Sequence, residues 1–228
     1  MKNRSTAYWR AVWTITRKDL QAEARAWDIL VAMLLFAILA VVIFSFALEL
    51  NRQARQDTVG GVLWVTLIFA GMLGLARSMA VEKDKGSLDA LLIAPIARSA
   101  LFYGKMLSNL IFTLLISFLL MVLLTVLFNI TLLQPLIMGV ILMGCVGFTA
   151  SGTLLSSLTV YAKGRDNLLP IVLLPVILPI ILCGVRATNA LLAEQEQAEW
   201  LPWIQLLAAV DIFFLVGSFF LFDYIVEE

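Results

Sequence analysis

The sequence predicts an all-α polytopic membrane protein, with six transmembrane helices, an N-terminal interfacial helix and one short cytoplasmic helix. Three observations predict it. Of 228 residues 62% are hydrophobic and only 14% charged, against a charged share of roughly a quarter in ordinary globular chains. The apolar residues are gathered into six long stretches joined by short polar connections. Thirteen of the sixteen Lys and Arg residues fall on alternate connections. A soluble domain of this size could not hide so much apolar surface in one core, and the mean hydropathy of +0.98 points to lipid as the solvent.

A hydrocarbon core of about 30 Å takes about 20 apolar residues of helix. Residues 29–48, 59–80, 106–128, 135–160, 168–187 and 203–222 meet that length as spans 1 to 6. Strand alternation is absent, and a lone span must satisfy its own backbone, which leaves helices. No small-residue cleavage site follows span 1, where Glu49-Leu50-Asn51-Arg52 stands instead, so the stretch is expected to stay as a span rather than leave as a signal peptide. The thirteen cationic residues lie before span 1, from Arg77 at the end of span 2 to the start of span 3, and between spans 4 and 5. By the positive-inside rule both termini are therefore expected in the cytoplasm. Residues 1–228 form a single transmembrane domain, since connections such as Asn129 to Gln134 have no room for another.

The composition also excludes chemistry. Net charge is zero and no basic run stands out, so no nucleic-acid partner is expected. There is no histidine, which removes the commonest general base, metal ligand and haem ligand. Cys145 and Cys183 lie inside apolar stretches without metal-ligand spacing and read as small buried residues. No Walker A loop is present: Gly104-Lys105 runs into Met106, without the Ser or Thr and the upstream glycine that the motif needs. The chain is expected to be no enzyme, and any ATP to be held by another subunit.

Two cytoplasmic segments remain. Over residues 5–27, at about 100° per residue, Trp9, Val12, Trp13, Thr16, Leu20, Ala24 and Trp27 form one stripe, with Arg10, Arg17, Lys18, Gln21 and Arg25 opposite. That pattern suits a helix lying in the membrane interface. It serves either as an anchor or as an elbow that packs on a soluble subunit, with Arg17, Lys18, Asp19 and Glu23 as the candidate contacts. The second segment, 82–95, opens with the charge cluster from Glu82 through Asp84 and turns at Gly86. Ser87 is placed as an N-cap and Asp89 lies in the first turn. Leu88, Leu91 and Leu92 make an apolar i, i+3, i+4 face before Pro95 stops the helix. Two turns are not stable alone in water, so this helix rests either under its own bundle or on another protein.

Inside the spans, Pro170, Pro175 and Pro179 mark span 5 as kinked, a candidate gate. Asp211, about eight residues into span 6, needs a counter-charge, a proton or a wet cavity; Arg186 is the candidate partner. Ala70, Gly74 and Ser78 share a face of span 2, and Gly147 and Ser151 a face of span 4, as helix contacts within or between subunits. Residues 188–202 are open to two readings, an external helix or a re-entrant element.

The run from Glu82 through Gly86-Ser87-Leu88-Asp89-Ala90-Leu91-Leu92 to Pro95, then Arg98 and Gly104-Lys105, resembles the coupling segment of ABC-2-type transporter permeases. Arg17-Lys18-Asp19-Leu20 resembles the start of such permeases. Over its whole length the chain is most similar to CcmB, the haem exporter protein B family, on the Gly86 to Asp89 loop, the Leu169-Pro170, Pro175, Pro179 run and the Asp211 span. The resemblance implies a permease subunit in the bacterial inner membrane that docks the ATPase CcmA through 82–95. It also implies a homodimer working with CcmC and CcmD, and transiently with CcmE, in haem delivery to c-type cytochromes. Haem enters as a transported or shared ligand whose iron ligands a partner supplies. The alternatives are an ABC-2-type permease exporting a drug, glycan or peptide, and a membrane scaffold with no ATPase.

Overall fold

The computed structural model describes residues 2–48, 52–84, 97–159 and 165–225. They form seven helices and no strand: α1 (Lys2–Ala26), α2 (Asp28–Ala47), α3 (Arg52–Asp84), α4 (Arg98–Phe128), α5 (Pro135–Thr159), α6 (Arg165–Leu192) and α7 (Gln197–Ile225). Helices α2 to α7 hold six segments long and apolar enough to cross a membrane, so the chain is a multi-pass membrane protein with one further, N-terminal helix. The spans alternate in direction. One end of the bundle therefore gathers α1, the ends of α3, α5 and α7 and the starts of α2, α4 and α6. The far end holds the opposite ends of the spans. Most of the predicted coupling helix, Gly86 to Pro95, lies outside the described residues; Glu82 and Asp84 close α3, which runs on past residue 80.

Burial ranks the spans. Seventy-two per cent of the apolar segment of α3 and 67% of that of α5 is buried, against 22% for α2 and 17% for α7. Helices α3 and α5 are thus the core, flanked by α4 and α6. Helix α2 packs on α3 and α4, and α7 on α5 and α6. The small residues explain the close approach. Ala70, Ser78 and Ser151 are buried, a Cβ on Gly74 would strike the Met33 side chain of α2, and one on Gly147 would strike Asp211 of α7. The helix contacts expected at these positions therefore form within one chain. Leu35, Leu39, Ile43, Phe46, Phe213 and Val216 stay exposed, as the side chains of a lipid-facing surface must.

Two local expectations are corrected. Residues 188–202 form neither a separate external helix nor a re-entrant element: α6 continues to Leu192, α7 begins at Gln197, and a turn with Glu194 at φ 52° joins them. Helix α6 is one helix through Pro170, Pro175 and Pro179, the residues expected to kink it. Pro175 and Pro179 lie on its exposed side, while Leu173, Ile177 and Ile180 face the core. In α1 the buried positions are Val12, Ile15, Thr16 and Glu23, and Trp9, Trp13 and Trp27 are more than half exposed. Hydrophobicity alone centred the stripe on the tryptophans, but α4 is met by the smaller side chains beside them, which leaves the indoles on the flank.

Glu23 is the joint between α1 and α2. Trp27 adopts the left-handed conformation, φ 56° and ψ 11°, an uncommon state for a bulky residue, and the chain folds back so that one carboxylate oxygen reaches two backbone amides. Ile29 N–H and Leu30 N–H donate to Glu23 Oε1 at 2.7 and 2.8 Å. This satisfies two donors at the start of α2 and places an acid at its positive end. Glu23 therefore caps a helix of its own chain, where a contact with a partner was expected. Glu23→Ala is expected to cost about 1–2 kcal/mol, the range of a lost N-cap, seen as a lower thermal midpoint in detergent; Glu23→Gln, which keeps the acceptor, should lose less.

Candidate functional site

Two sequence motifs 86 positions apart meet at the α1 end of the bundle. Asp19 of α1 and Lys105, two turns into α4, form an ion pair with Lys105 Nζ 2.8 Å from Asp19 Oδ2. Lys105 is 2% exposed. The Ser108 hydroxyl lies 3.1 Å from Asp19 Oδ2 and 2.9 Å from the Lys105 carbonyl, its proton available to either. Lys18 Nζ stands 3.3 Å from the other carboxylate oxygen, at the surface. Beside the pair, the Thr16 hydroxyl donates to the Gly104 carbonyl at 3.0 Å. A side chain at Gly104 would overlap Ile15, so glycine is what lets the two backbones approach.

The local sequence accounts for this arrangement. Positions 12, 15, 16, 19 and 23 recur at helical spacing on one face of α1, and the bundle meets that face. A buried lysine is tolerated only with its charge matched and its hydrogen bonds made, and Asp19 supplies the matching charge. The result is a rigid seat for the first turns of α4, immediately after residues 85–96. Of the other candidates, Arg17 is exposed on α1; nearby, Arg77 at the end of the α3 span stands 3.8 Å from Asp28, both solvent-facing.

The interior of the bundle carries a polar seam. On α4 it comprises Ser108, Asn109, Thr113 and Ser117, and on α5 Thr149, Ser151, Thr153 and Ser156, all buried. Asn109 Nδ2 donates across the seam to Thr153 Oγ1 at 3.2 Å. The other hydroxyls mostly return to carbonyls one turn back, as Thr113 to Asn109 and Ser151 to Gly147, both at 2.8 Å. Asp211 lies at one border of this region, 6% exposed, against Gly147. Its Oδ1 has no hydrogen-bond partner among the described residues. Arg186 does not meet it: the guanidinium sits 6.0 Å from the centre of the Trp203 ring. The pairing proposed from sequence is thus replaced by a cation–π contact, because Arg186 and Trp203 both lie near the far end of the bundle and Asp211 is two turns deeper.

Sequence reasoning missed the contacts that tie α3 to α6. The Trp64 indole N–H donates to Thr188 Oγ1 at 3.0 Å, and the ring fills the spaces left by Gly144 of α5 and Gly184 of α6. Nearer the far end, Asn189 Oδ1 accepts from the Gly60 amide at 3.2 Å, and its amide donates to the Asp57 carbonyl at 3.1 Å. The signal was an Asn, a Thr and two glycines inside apolar runs, each more polar or smaller than a lipid-facing position requires. Among the described residues no group of His, Cys, Asp and Glu is placed to hold a metal ion.

The family model described as CcmB protein matches residues 10–227. The chain is 30% identical to the heme exporter protein B of Rhodobacter capsulatus over 170 residues, covering 74% of this chain and 78% of that protein. It is 26% identical to the heme exporter protein B of Pseudomonas aeruginosa over 180 residues, covering 78% and 81% of the two chains. The protein of the same description in Paracoccus denitrificans is 24% identical over 173 residues, 75% and 79% of the two.

Proposed function

The chain belongs to the CcmB family, and from that premise we propose that it is the membrane subunit of an ABC-type transporter for haem export. We place it in the delivery of haem for c-type cytochromes in the bacterial inner membrane, with its termini in the cytoplasm. ATP hydrolysis falls to a separate subunit, CcmA, docked through residues 82–95; CcmC, CcmD and transiently CcmE are the further partners. A homodimer of this chain gives the two membrane halves that such transporters use. Haem is the cargo, and a chain without histidine leaves its axial ligands to a partner. The lipid bilayer is its medium throughout.

The observation that carries the coupling part of this reading is the seat around Asp19 and Lys105. A soluble subunit pushing on residues 85–96 acts on the end of α3 and the start of α4. The first turns of α4 are not free to fray, because the buried ion pair and the Thr16 hydrogen bond fix them to α1. Helix α1 in turn is fixed to the first amides of α2 through Glu23. A displacement at the connection therefore reaches two spans at once, which suits an elbow helix better than a passive anchor.

The test joins biochemistry to phenotype. The tagged chain, extracted in detergent, is expected to bring down an ATPase together with CcmC, and Gly86→Pro or Leu88→Asp is expected to abolish ATPase recovery while leaving the chain folded. Deleting the gene is expected to remove haem-stained c-type cytochromes. Retained ATPase in both variants would sink the docking segment. Normal c-type cytochromes in the deletion strain would instead favour a permease for a different substrate.

A further inference from the structure

The far end of the bundle opens into a cavity of about 530 Å³, bounded by the starts of α3 and α7, the end of α6 and the α4–α5 connection. A volume of this order is that of a small-molecule site. Among the described residues its wall carries one base, Arg186, and two acids, Asp57 and Glu199, with the amides of Gln56, Asn189 and Gln195 and the Trp203 indole between them. Arg186 is held over the Trp203 ring and makes no ion pair among the described residues. Asn189 is clamped by its two bonds to α3, so this wall is formed in advance of any ligand.

Deeper along α6 and α7 than the cavity lie exposed leucines. Along α6, Leu178 and Leu182 are 52% and 54% exposed and stand at successive i, i+4 positions that lead up to Arg186. On α7, Leu206 is 49% exposed, one turn below Trp203. A cation and an indole above exposed leucines of α6 and α7, at the depth where tryptophans mark the membrane boundary, fit an amphiphile rather than a water-soluble ion. The second charge sign decides its class. A ligand bearing only negative charge would be drawn to Arg186 and repelled by Glu199, whereas a headgroup with both signs satisfies each.

We propose that this cavity binds the zwitterionic headgroup of an amine-bearing phospholipid. The phosphate takes the planar fork of Arg186, the ammonium takes Glu199, and the acyl chains lie over Leu178, Leu182 and Leu206. The bound lipid wedges the end of α6 against the starts of α3 and α7.

Native mass spectrometry of the delipidated full chain in detergent tests this, with phosphatidylethanolamine and phosphatidylglycerol of matched chains as separate probes. Glycerophosphoethanolamine, the same headgroup without tails, is the third. The expected result is preferential retention of phosphatidylethanolamine, weakened about tenfold by Arg186→Gln and by Glu199→Gln, the scale of one charge-assisted hydrogen bond. Glu199→Gln should at the same time raise retention of phosphatidylglycerol. The thermal midpoint of each variant without lipid reports whether it folds; should Arg186→Gln unfold, the selectivity change in Glu199→Gln decides. Equal retention of the two lipids, or dependence on Arg186 without dependence on Glu199, overturns the proposal. Binding of glycerophosphoethanolamine as tight as that of the lipid overturns the lipid as its source.

Discussion

Lys105→Ala is expected to destabilise the protein by about 3–5 kcal/mol, the scale on which breaking one side of a buried ion pair is felt. The loss exceeds that of the lost attraction, because Asp19, with its side chain only 10% exposed, then keeps its charge against only the surface Lys18 at 3.3 Å and the Ser108 hydroxyl, which places the cost at the lower end of that range. Asp19→Ala takes away the carboxylate 2.8 Å from the buried Lys105 and is also expected to be destabilising. Replacing both at once, Asp19→Leu with Lys105→Met, removes the desolvation problem along with the pair and is expected to recover most of the stability. Cys145 and Cys183 are both buried, so a thiol-reactive dye reports unfolding of the chain in detergent without added label. Equal damage from the single and double variants would show that the pair does not behave as one unit. Under the proposed function the double variant separates the pair's two roles: if it is stable yet does not restore c-type cytochromes to the deletion strain, the ion pair serves the proposed relay between α1 and α4 as well as the fold.

The spans were legible because each is a long apolar run whose physics is local, and every span predicted from residues 29–48 to 203–222 corresponds to a helix here. What could not be read lies in the third dimension. Asp19 and Lys105 were both noticed, one in the Arg17 to Leu20 run and one in Gly104-Lys105, but charge pairing across 86 positions has no periodicity to reveal it. Glu23 was misplaced because its role depends on a left-handed Trp27, which nothing in the helical pattern announces. The boundaries around 188–202 were blurred because polar side chains such as Arg186 and Asn189 lowered the hydropathy where the helix in fact continues, held by its bonds to α3. Asp211 was rightly placed inside the last span, yet its neighbour proved to be a glycine of α5 and not the nearest arginine in sequence.

Trp64→Ala should be the most damaging apolar truncation in the chain, at about 3–5 kcal/mol, the range for removing a buried large aromatic side chain. Trp64 heads the fully buried side chains by volume, and its surroundings are poorly able to collapse. Gly144 and Gly184, the residues it rests on, have no side chains to swing into the void, so the cavity persists and its lining loses dispersion contacts outright. Trp64→Phe isolates the polar part. It leaves much of the ring in place but orphans the Thr188 hydroxyl, for a loss nearer to about 1–2 kcal/mol. The reciprocal change fills the slot instead: Gly184→Val places its side chain where the indole lies and is expected to push α3 and α6 apart, an overpacking cost of about 1–3 kcal/mol or more. Combined with Trp64→Ala, Gly184→Val should be far less harmful than the two losses added together, because each change makes room for the other. Additive losses in thermal unfolding of the four proteins would mean that Trp64 and Gly184 do not share one space, and that the α3–α6 contact is held elsewhere.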